Sequence, residues 1–273
     1  YGLTLVLLRL AALTVVLWPR SRALSAGLAA AMLAAVLVPA ARAPAPPEGV
    51  PMVRAVQPNA PQDEKWRPEN MPRFFDRSLE ATRAGLPAAL TLWPEVSVYP
   101  WLRDASPNFA DIAAASGDRP VIAGVRRWDG RAYNGLALLG AGGRLDAFYD
   151  KAHLVPFGEY MPLAPLFARL GIFGLATEPS FGYAPGPGPA LMEAPGIGPV
   201  QPLICYESIF PREIARLEER PRLLAVATND AWFGTLGGPS QHLQQSQARA
   251  IELGIPVLRS ANTGISAVID GRG

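Results

Sequence analysis

Two long apolar runs at the start of the chain constrain its architecture more than any other feature. "YGLTLVLLRLAALTVVLW" covers residues 1 to 18 and "ALSAGLAAAMLAAVLVPAA" covers residues 23 to 41, with Pro19-Arg20-Ser21-Arg22 between them. Nineteen helical residues span about 28 Å, against a bilayer hydrocarbon thickness of about 30 Å. Residues 1–43 are therefore expected to form a transmembrane helical hairpin. Arg20 and Arg22 in the connection favour the cytoplasmic face, which puts everything after residue 43 on the outer side. Two other readings stay open. Ala41-Arg42-Ala43 has the form of a signal-peptide cleavage site. Arg9, which would cost about 2.5 to 3.5 kcal/mol at mid-membrane unless it faces other helices, fits a buried soluble hairpin or missing neighbours. The chain begins at Tyr1, so it is expected to be a piece of a longer membrane protein.

"PAPPEGV" at 44–50 reads as a linker, and from Pro51 the pattern changes. Short β-type runs recur at 52–57, 89–95, 120–125, 134–140, 198–207, 223–229, 256–262 and 265–270. Amphipathic helices are expected at 69–85, about 105–117, 210–219 and 239–253. Apolar strands interleaved with helices define a layered α/β domain over 51–273 with buried sheets.

With 25 Lys+Arg against 23 Asp+Glu, no strong field directs the chain to nucleic acid. Its single cysteine, Cys205, excludes an intrachain disulfide and a multi-cysteine metal cage. That thiol is either a small buried hydrophobe or a reactive group. His153 and His242 are the only histidines and have no ligand-spaced cluster around them, so neither a metal nor another cofactor is expected. Several polar residues fall at predicted strand ends, where a rigid sheet positions chemistry: Glu95 in "LTLWPE", Lys151 and Glu159 in "YDKAHLVPFGEYMP", and Cys205 in "PLICYE". Each also has a plain reading, as a loop carboxylate, a surface lysine, a loop ion pair or core filling.

These segments resemble the nitrilase superfamily, and within it the bacterial apolipoprotein N-acyltransferase family. The members of that superfamily carry Glu, Lys and Cys in this chain order, and "WPE", "KAHLVPFGEYMP" and "ICYE" look like its three motif regions. "TNDAWFG" at 228–234 and the "GPSQHLQQSQARAIELGIPVLRSANTGISAVID" that follows resemble the acyltransferase branch. The resemblance implies a nitrilase-like α-β-β-α sandwich, preceded by the hairpin and facing the periplasm of a bacterial inner membrane. The closing strands and a final membrane helix are expected to lie beyond Gly273, leaving the sandwich C-terminally truncated.

It also implies a ping-pong acyl transfer. Cys205 is the nucleophile, Glu95 the proton shuttle, and Lys151 with the Tyr206 N–H the oxyanion donors. The implied donor is a membrane phospholipid such as phosphatidylethanolamine, and the acceptor is the α-amine of a diacylglyceryl-cysteine on an apolipoprotein. Glu159 and Glu207 are implied to support the triad, though Glu207 is also readable as a sheet anchor. Asn229 and Asp230 are expected to line the site or form an ordinary turn. Trp232 and Phe233 are expected to face lipid or fill the core. The alternative activity is that of a nitrilase-type amidase with water as acceptor.

Overall fold

A computed structural model describes residues 49–162, 182–214, 217–234 and 236–273, with a few isolated positions ahead of residue 49. Among the described residues no helix is long and apolar enough to cross a membrane. The hairpin expected over 1–43 lies outside the described residues. Residues Pro51–Gly273 form one compact unit.

The first sheet contains β1 (Val53–Ala55), β2 (Leu90–Leu92), β3 (Val98–Trp101), β4 (Val121–Trp128), β5 (Ala132–Leu139) and β6 (Leu145–Asp150). Its order is β1-β2-β4-β5-β6, with β3 also paired to β4. The second contains β7 (Met192–Ala194), β8 (Gly198–Ile204), β9 (Leu223–Thr228), β10 (Val257–Ala261) and β11 (Ala267–Ile269), in the order β11-β10-β9-β8-β7. In the first sheet β1, β2 and β4 run parallel from one edge and β5 and β6 continue antiparallel to the other; in the second a parallel centre, β8-β9-β10, is flanked by antiparallel edges.

Strand periodicity sorts side chains into layers. Leu90, Leu92, Ile122, Leu136 and Leu138 meet Val200, Ile204, Ala225, Ala227 and Leu258 in the central core between the sheets. The opposite parity, Val121, Ala123, Val125 and Leu139, packs with Phe75 and Leu79 of α2 (Met71–Arg83) and with Phe109 and Ile112 of α3 (Ser106–Ser116). On the far side Leu203, Leu224, Val226 and Val257 pack with Ala250 of α5 (Gly238–Leu253). The result is an α-β-β-α sandwich. Strands covered on both faces need continuous apolar runs, which is what "PVIAGV" and "LLAVAT" are.

Among the described residues there are also two short α-helices, α1 (Gln62–Lys65) and α4 (Pro211–Ile214). The helix expected at 210–219 is shorter than that: residues 217–219 are not helical, and 215–216 are outside the described residues. Strands β3, β6 and β7 are additions to the expected set. Pro100 breaks the apolar pattern of β3, β6 is only partly buried, and β7 is three residues long.

Gln201 on β8 is fully buried, and among the described residues neither Nε2 nor Oε1 has a hydrogen-bond partner. An unpaired buried amide carries its desolvation cost uncompensated. Gln201→Met, which keeps the volume and removes both polar atoms, is expected to raise stability by about 1–2 kcal/mol. Urea unfolding should show a higher midpoint at unchanged slope.

Candidate active site

The site is built where strands of both sheets end. β2 pairs with β4 through Leu92, and Trp93 N still donates to Ile122 O at 2.8 Å. The chain then leaves β4 over Pro94, Glu95 and Val96 and rejoins it at Ser97, whose N–H donates to Gly124 O at 2.9 Å. Pro94 has no N–H to pair, and Val96 takes φ 45°, an unusual value for a β-branched residue. This bulge turns Glu95 toward the site while Trp93 stays fully buried, its Nε1 donating to Thr82 Oγ1 at 2.9 Å. Gly124 lies directly beneath the bulge: a Cβ there would run into the Pro94 carbonyl oxygen and the Val96 nitrogen.

Lys151 follows β6 and extends its pairing with β5, donating from its backbone N–H to Asn134 O at 2.8 Å. Its side chain is 1% exposed. Nζ lies 2.9 Å from Glu159 Oε1, 2.8 Å from Glu159 Oε2 and 3.8 Å from Glu95 Oε1. Burial alone would lower the ammonium's pKa, but Glu95, Glu159 and Cys205 together raise it, so Lys151 stays charged. Glu159 is held in its turn by Val155 N, which donates to Oε2 at 2.8 Å. Asn134 Nδ2 bridges the two carboxylates, 2.7 Å from Glu95 Oε1 and 3.2 Å from Glu159 Oε1. Only the amide nitrogen can face two acceptors, so this fixes the rotamer.

Cys205 is the first residue after β8 and takes φ 50°, opening a 3-10 turn that runs to Ile209. A non-glycine residue in this region is sparsely populated and persists only where its surroundings enforce it. Two contacts do so. Ser208 Oγ donates to Cys205 O at 3.0 Å, and Glu207 Oε2 accepts from Ile204 N at 2.8 Å. Glu207 Oε1 also accepts from Tyr149 Oη at 2.7 Å, Ala152 N at 2.7 Å and His153 N at 3.0 Å. Burial raises the Glu207 pKa, while Lys151 and these donors pull it back. The backbone N–H groups can only donate, so the arrangement fits a carboxylate. Glu207 thus ties the segment after Lys151 to the segment carrying Cys205.

Burial pushes the Cys205 thiol up to about 12, with Glu95 adding to the rise and Lys151 and Thr228 opposing it. Glu95 is raised as well, first by burial and then by Glu159, against the pull of Lys151, Asn134 and Lys65. The thiol is protonated at neutral pH, and the Glu95 carboxylate, of raised basicity, is close enough to sense its charge.

Glu95, Lys151, Glu159 and Cys205 are thus brought together. Tyr206 stands beside them, its ring edge-on to His153 at 5.7 Å and to Phe210 at 4.9 Å. Asn229 and Asp230, expected to line the site or form an ordinary turn, open a 3-10 turn after β9. Asn229 Nδ2 donates to Gln62 Oε1 at 2.7 Å, and its Oδ1 accepts from Asn262 Nδ2 at 3.1 Å. Asp230 is fully buried, with Oδ1 and Oδ2 2.9 and 2.7 Å from Arg259 Nη2 and Oδ1 2.9 Å from His242 Nδ1. These carboxylate and amide groups are engaged by other side chains of the protein. Trp232 and Phe233 are 56% and 45% exposed, so neither fills the core. Asn134, Lys65, Arg259 and Tyr183 are the neighbours that motif reading passes over. Tyr183 N donates to Glu159 O at 2.8 Å, and burial pushes its hydroxyl up to about 12.

A four-layered sandwich with a buried cysteine, lysine and two carboxylates at its strand ends defines a narrow class of proteins. Residues 52–273 match the carbon-nitrogen hydrolase family, and the chain belongs to it. It is 40% identical over 237 residues to the apolipoprotein N-acyltransferase of Bradyrhizobium diazoefficiens, covering 80% of this chain and 44% of that protein. With the apolipoprotein N-acyltransferase of Allorhizobium ampelinum it shares 39% identity over 235 residues, 81% of this chain and 44% of that one. The chain therefore spans less than half the length of these relatives. Among solved structures, an amidase of the nitrilase superfamily from Nesterenkonia AN1 superposes with TM-score 0.56 at 18% identity, covering 83% of this chain and 85% of that one. The glutamine-dependent NAD+ synthetase of Acinetobacter baumannii does so with TM-score 0.58 at 16% identity, over 80% and 41%. Both show the shared fold.

Two outcomes follow from this geometry. Gly124→Ala should displace the Glu95 bulge, lowering stability by about 1–3 kcal/mol and slowing alkylation of Cys205 by iodoacetamide at least about tenfold. The ultraviolet absorption of a thiolate should be absent at about pH 9 and appear only as pH approaches about 12.

Proposed function

We propose that this chain is the catalytic portion of an apolipoprotein N-acyltransferase, transferring a fatty acyl chain from a membrane phospholipid to the α-amine of a lipoprotein's N-terminal diacylglyceryl-cysteine. The observation that carries the reading is the buried Lys151 set between Glu95 and Glu159 beside Cys205, in a chain whose relatives bear that name. Residues 1–43 are proposed as a transmembrane hairpin, 44–50 as the linker, and 51–273 as the catalytic domain on the periplasmic side of the inner membrane. Phosphatidylethanolamine is the proposed donor.

The reaction balances with groups in hand. As the Cys205 sulfur attacks the ester carbonyl, its proton passes to Glu95. The oxyanion that forms is stabilised by the Lys151 ammonium and the Tyr206 N–H. Collapse breaks the ester C–O bond, the lysophospholipid oxygen takes the proton from Glu95, and a thioester remains on Cys205. The acceptor amine then attacks this thioester and gives its proton to Glu95. The C–S bond breaks, and the sulfur recovers that proton as the amide leaves. Glu159 and Asn134 hold Lys151 and Glu95 in place, and Glu207 holds the nucleophile's turn. In this reading Trp232 and Phe233 belong to an apolar rim. An acyl chain gains about 0.8 kcal/mol for each CH₂ kept out of water, so a site fed from the bilayer favours such a rim.

Incubation of the full-length protein with phospholipid labelled in its acyl chain should give a hydroxylamine-sensitive label on Cys205. Cys205→Ala should abolish that label, and Cys205→Ser should load slowly and resolve poorly. Equal labelling of wild type and Cys205→Ala would assign the acyl group to another residue. A reporter fused after residue 22 should read cytoplasmic and one after residue 50 periplasmic; the reverse would overturn the proposed topology.

A further inference from the structure

The stretch "QPNAPQDEKW", residues 57–66, reads as a polar connection and carries no motif. In the structure it is strapped across the ends of both sheets. Val56 N donates to Leu92 O at 2.9 Å, and Val56 O accepts from Ser260 Oγ at 2.6 Å. Gln57 Nε2 donates to Gly264 O at 3.1 Å, and Ala60 O accepts from Asn262 Nδ2 at 2.8 Å. Gln62 Oε1 accepts from Asn229 Nδ2 at 2.7 Å. The single turn of α1 then delivers Lys65, which is 1% exposed, a rare state for a lysine with no ion-pair contact among the described residues. Its Nζ donates to the backbone carbonyl oxygen of Glu95 at 2.9 Å.

We propose that Lys65 is a positioning residue for Glu95: its ammonium pins the Glu95 carbonyl, fixes the bulge that aims the carboxylate, and places a second positive charge beside it. The proposal rests on the reading of Glu95 as the base. The bulge needs such a pin because Val96 holds an unfavourable φ of 45° and only its flanking residues Trp93 and Ser97 bond to β4. Lys151 cannot supply it, since its nitrogen lies closer to Glu159 than to Glu95.

Among the described residues the charges around this pair are few. Glu95 faces Lys151, Glu159, Asn134 and Lys65, with Cys205 and Tyr183 also sensing its charge. Lys65 faces Glu95 and Arg126, the latter lying over the Trp66 ring at 5.0 Å. Burial, reinforced by Arg126 and opposed by Glu95, pushes Lys65 down to about 8. The charge is therefore present at neutral pH and is withdrawn as pH rises through that value. Removing it destabilises the Glu95 carboxylate, so the acid limb of any Glu95-dependent rate must move to higher pH.

The test is the rate of Cys205 alkylation by iodoacetamide against pH in the full-length protein, for wild type, Glu95→Gln, Lys65→Met and Lys65→Gln. Glu95→Gln is expected to slow alkylation about a hundredfold. If it does not, the reading of Glu95 as base falls, and the role of Lys65 falls with it. With that reference intact, Lys65→Met should slow the reaction about tenfold and move the acid limb up by about one pH unit. Lys65→Gln keeps a donor for the carbonyl and lacks the charge. It should keep more of the rate, show the same displacement of the limb, and serve where Lys65→Met does not fold. A limb unmoved in the folded variants, whether or not rate or thermal midpoint falls, would reduce Lys65 to a structural residue and overturn the proposal.

Discussion

Everything at this site depends on the ion pair between Lys151 and Glu159. Withdrawing an ammonium and a carboxylate from water costs several kcal/mol per ion, and only close geometry with further hydrogen bonds offsets it. Both conditions are met: Nζ sits 2.9 and 2.8 Å from the two Glu159 oxygens, and Val155 N and Asn134 Nδ2 donate to the same carboxylate. Glu159 therefore does more than neutralise a charge. It holds the Lys151 ammonium while leaving Glu95 at 3.8 Å, too far for a hydrogen bond and near enough for attraction. A Glu95 in direct contact with the lysine would have its basicity suppressed. Set apart, and sharing Asn134 with Glu159, it keeps the raised affinity for protons that the proposed shuttle role requires.

The two groups that must meet come from different sheets, so their register has to be transmitted across the sandwich. Glu207 performs this on the cysteine side. One buried carboxylate accepts from Tyr149, Ala152 and His153 of the segment around Lys151 and from Ile204 at the end of β8. The Asp230 carboxylate makes a comparable link in the next layer out, joining Arg259 of β10 to His242 of α5. His242 Nε2 in turn lies 3.4 Å from Ser208 Oγ, which donates to Cys205 O. The positive φ of Cys205 is thus enforced from both sides, by Glu207 within its turn and by Ser208 beneath it.

The sandwich and the cluster are legible in the sequence to different extents. The double-sided apolar runs of β4, β5, β8, β9 and β10 are long enough to be read directly, because burial on both faces leaves no polar alternation to confuse them. Strand β6 escapes such a reading because "LDAFYD" is only partly buried, so its pattern resembles a turn. At the site, Glu95, Lys151 and Cys205 are readable through motifs at strand ends. Asn134 is hidden as the first letter of the apolar run "NGLALLG", and Lys65 in the charged stretch "QDEKWRPE", where a buried lysine looks like any solvated one. Asn229 and Asp230 are legible only in part, for a related reason. Their position after β9 signals a site, but only the long-range partners Gln62, Asn262 and Arg259 reveal that both are engaged in holding the frame.

The electrostatic balance also constrains the order of chemical events. Glu95 and Glu159 already surround Lys151 with two carboxylates, and Lys65 adds one further positive charge whose own affinity for its proton is weakened. A resting thiolate on Cys205 would add a third anion to a dehydrated site, and the thiol instead holds its proton up to about pH 12. In the proposed reaction, proton transfer to Glu95 therefore accompanies attack on the ester and does not precede it. As the proton arrives, Glu95 becomes neutral and the negative charge moves to the substrate oxygen. Lys151 meets nearly the same net charge before and after the step, with Glu159 unchanged behind it, so little of the site has to reorganise.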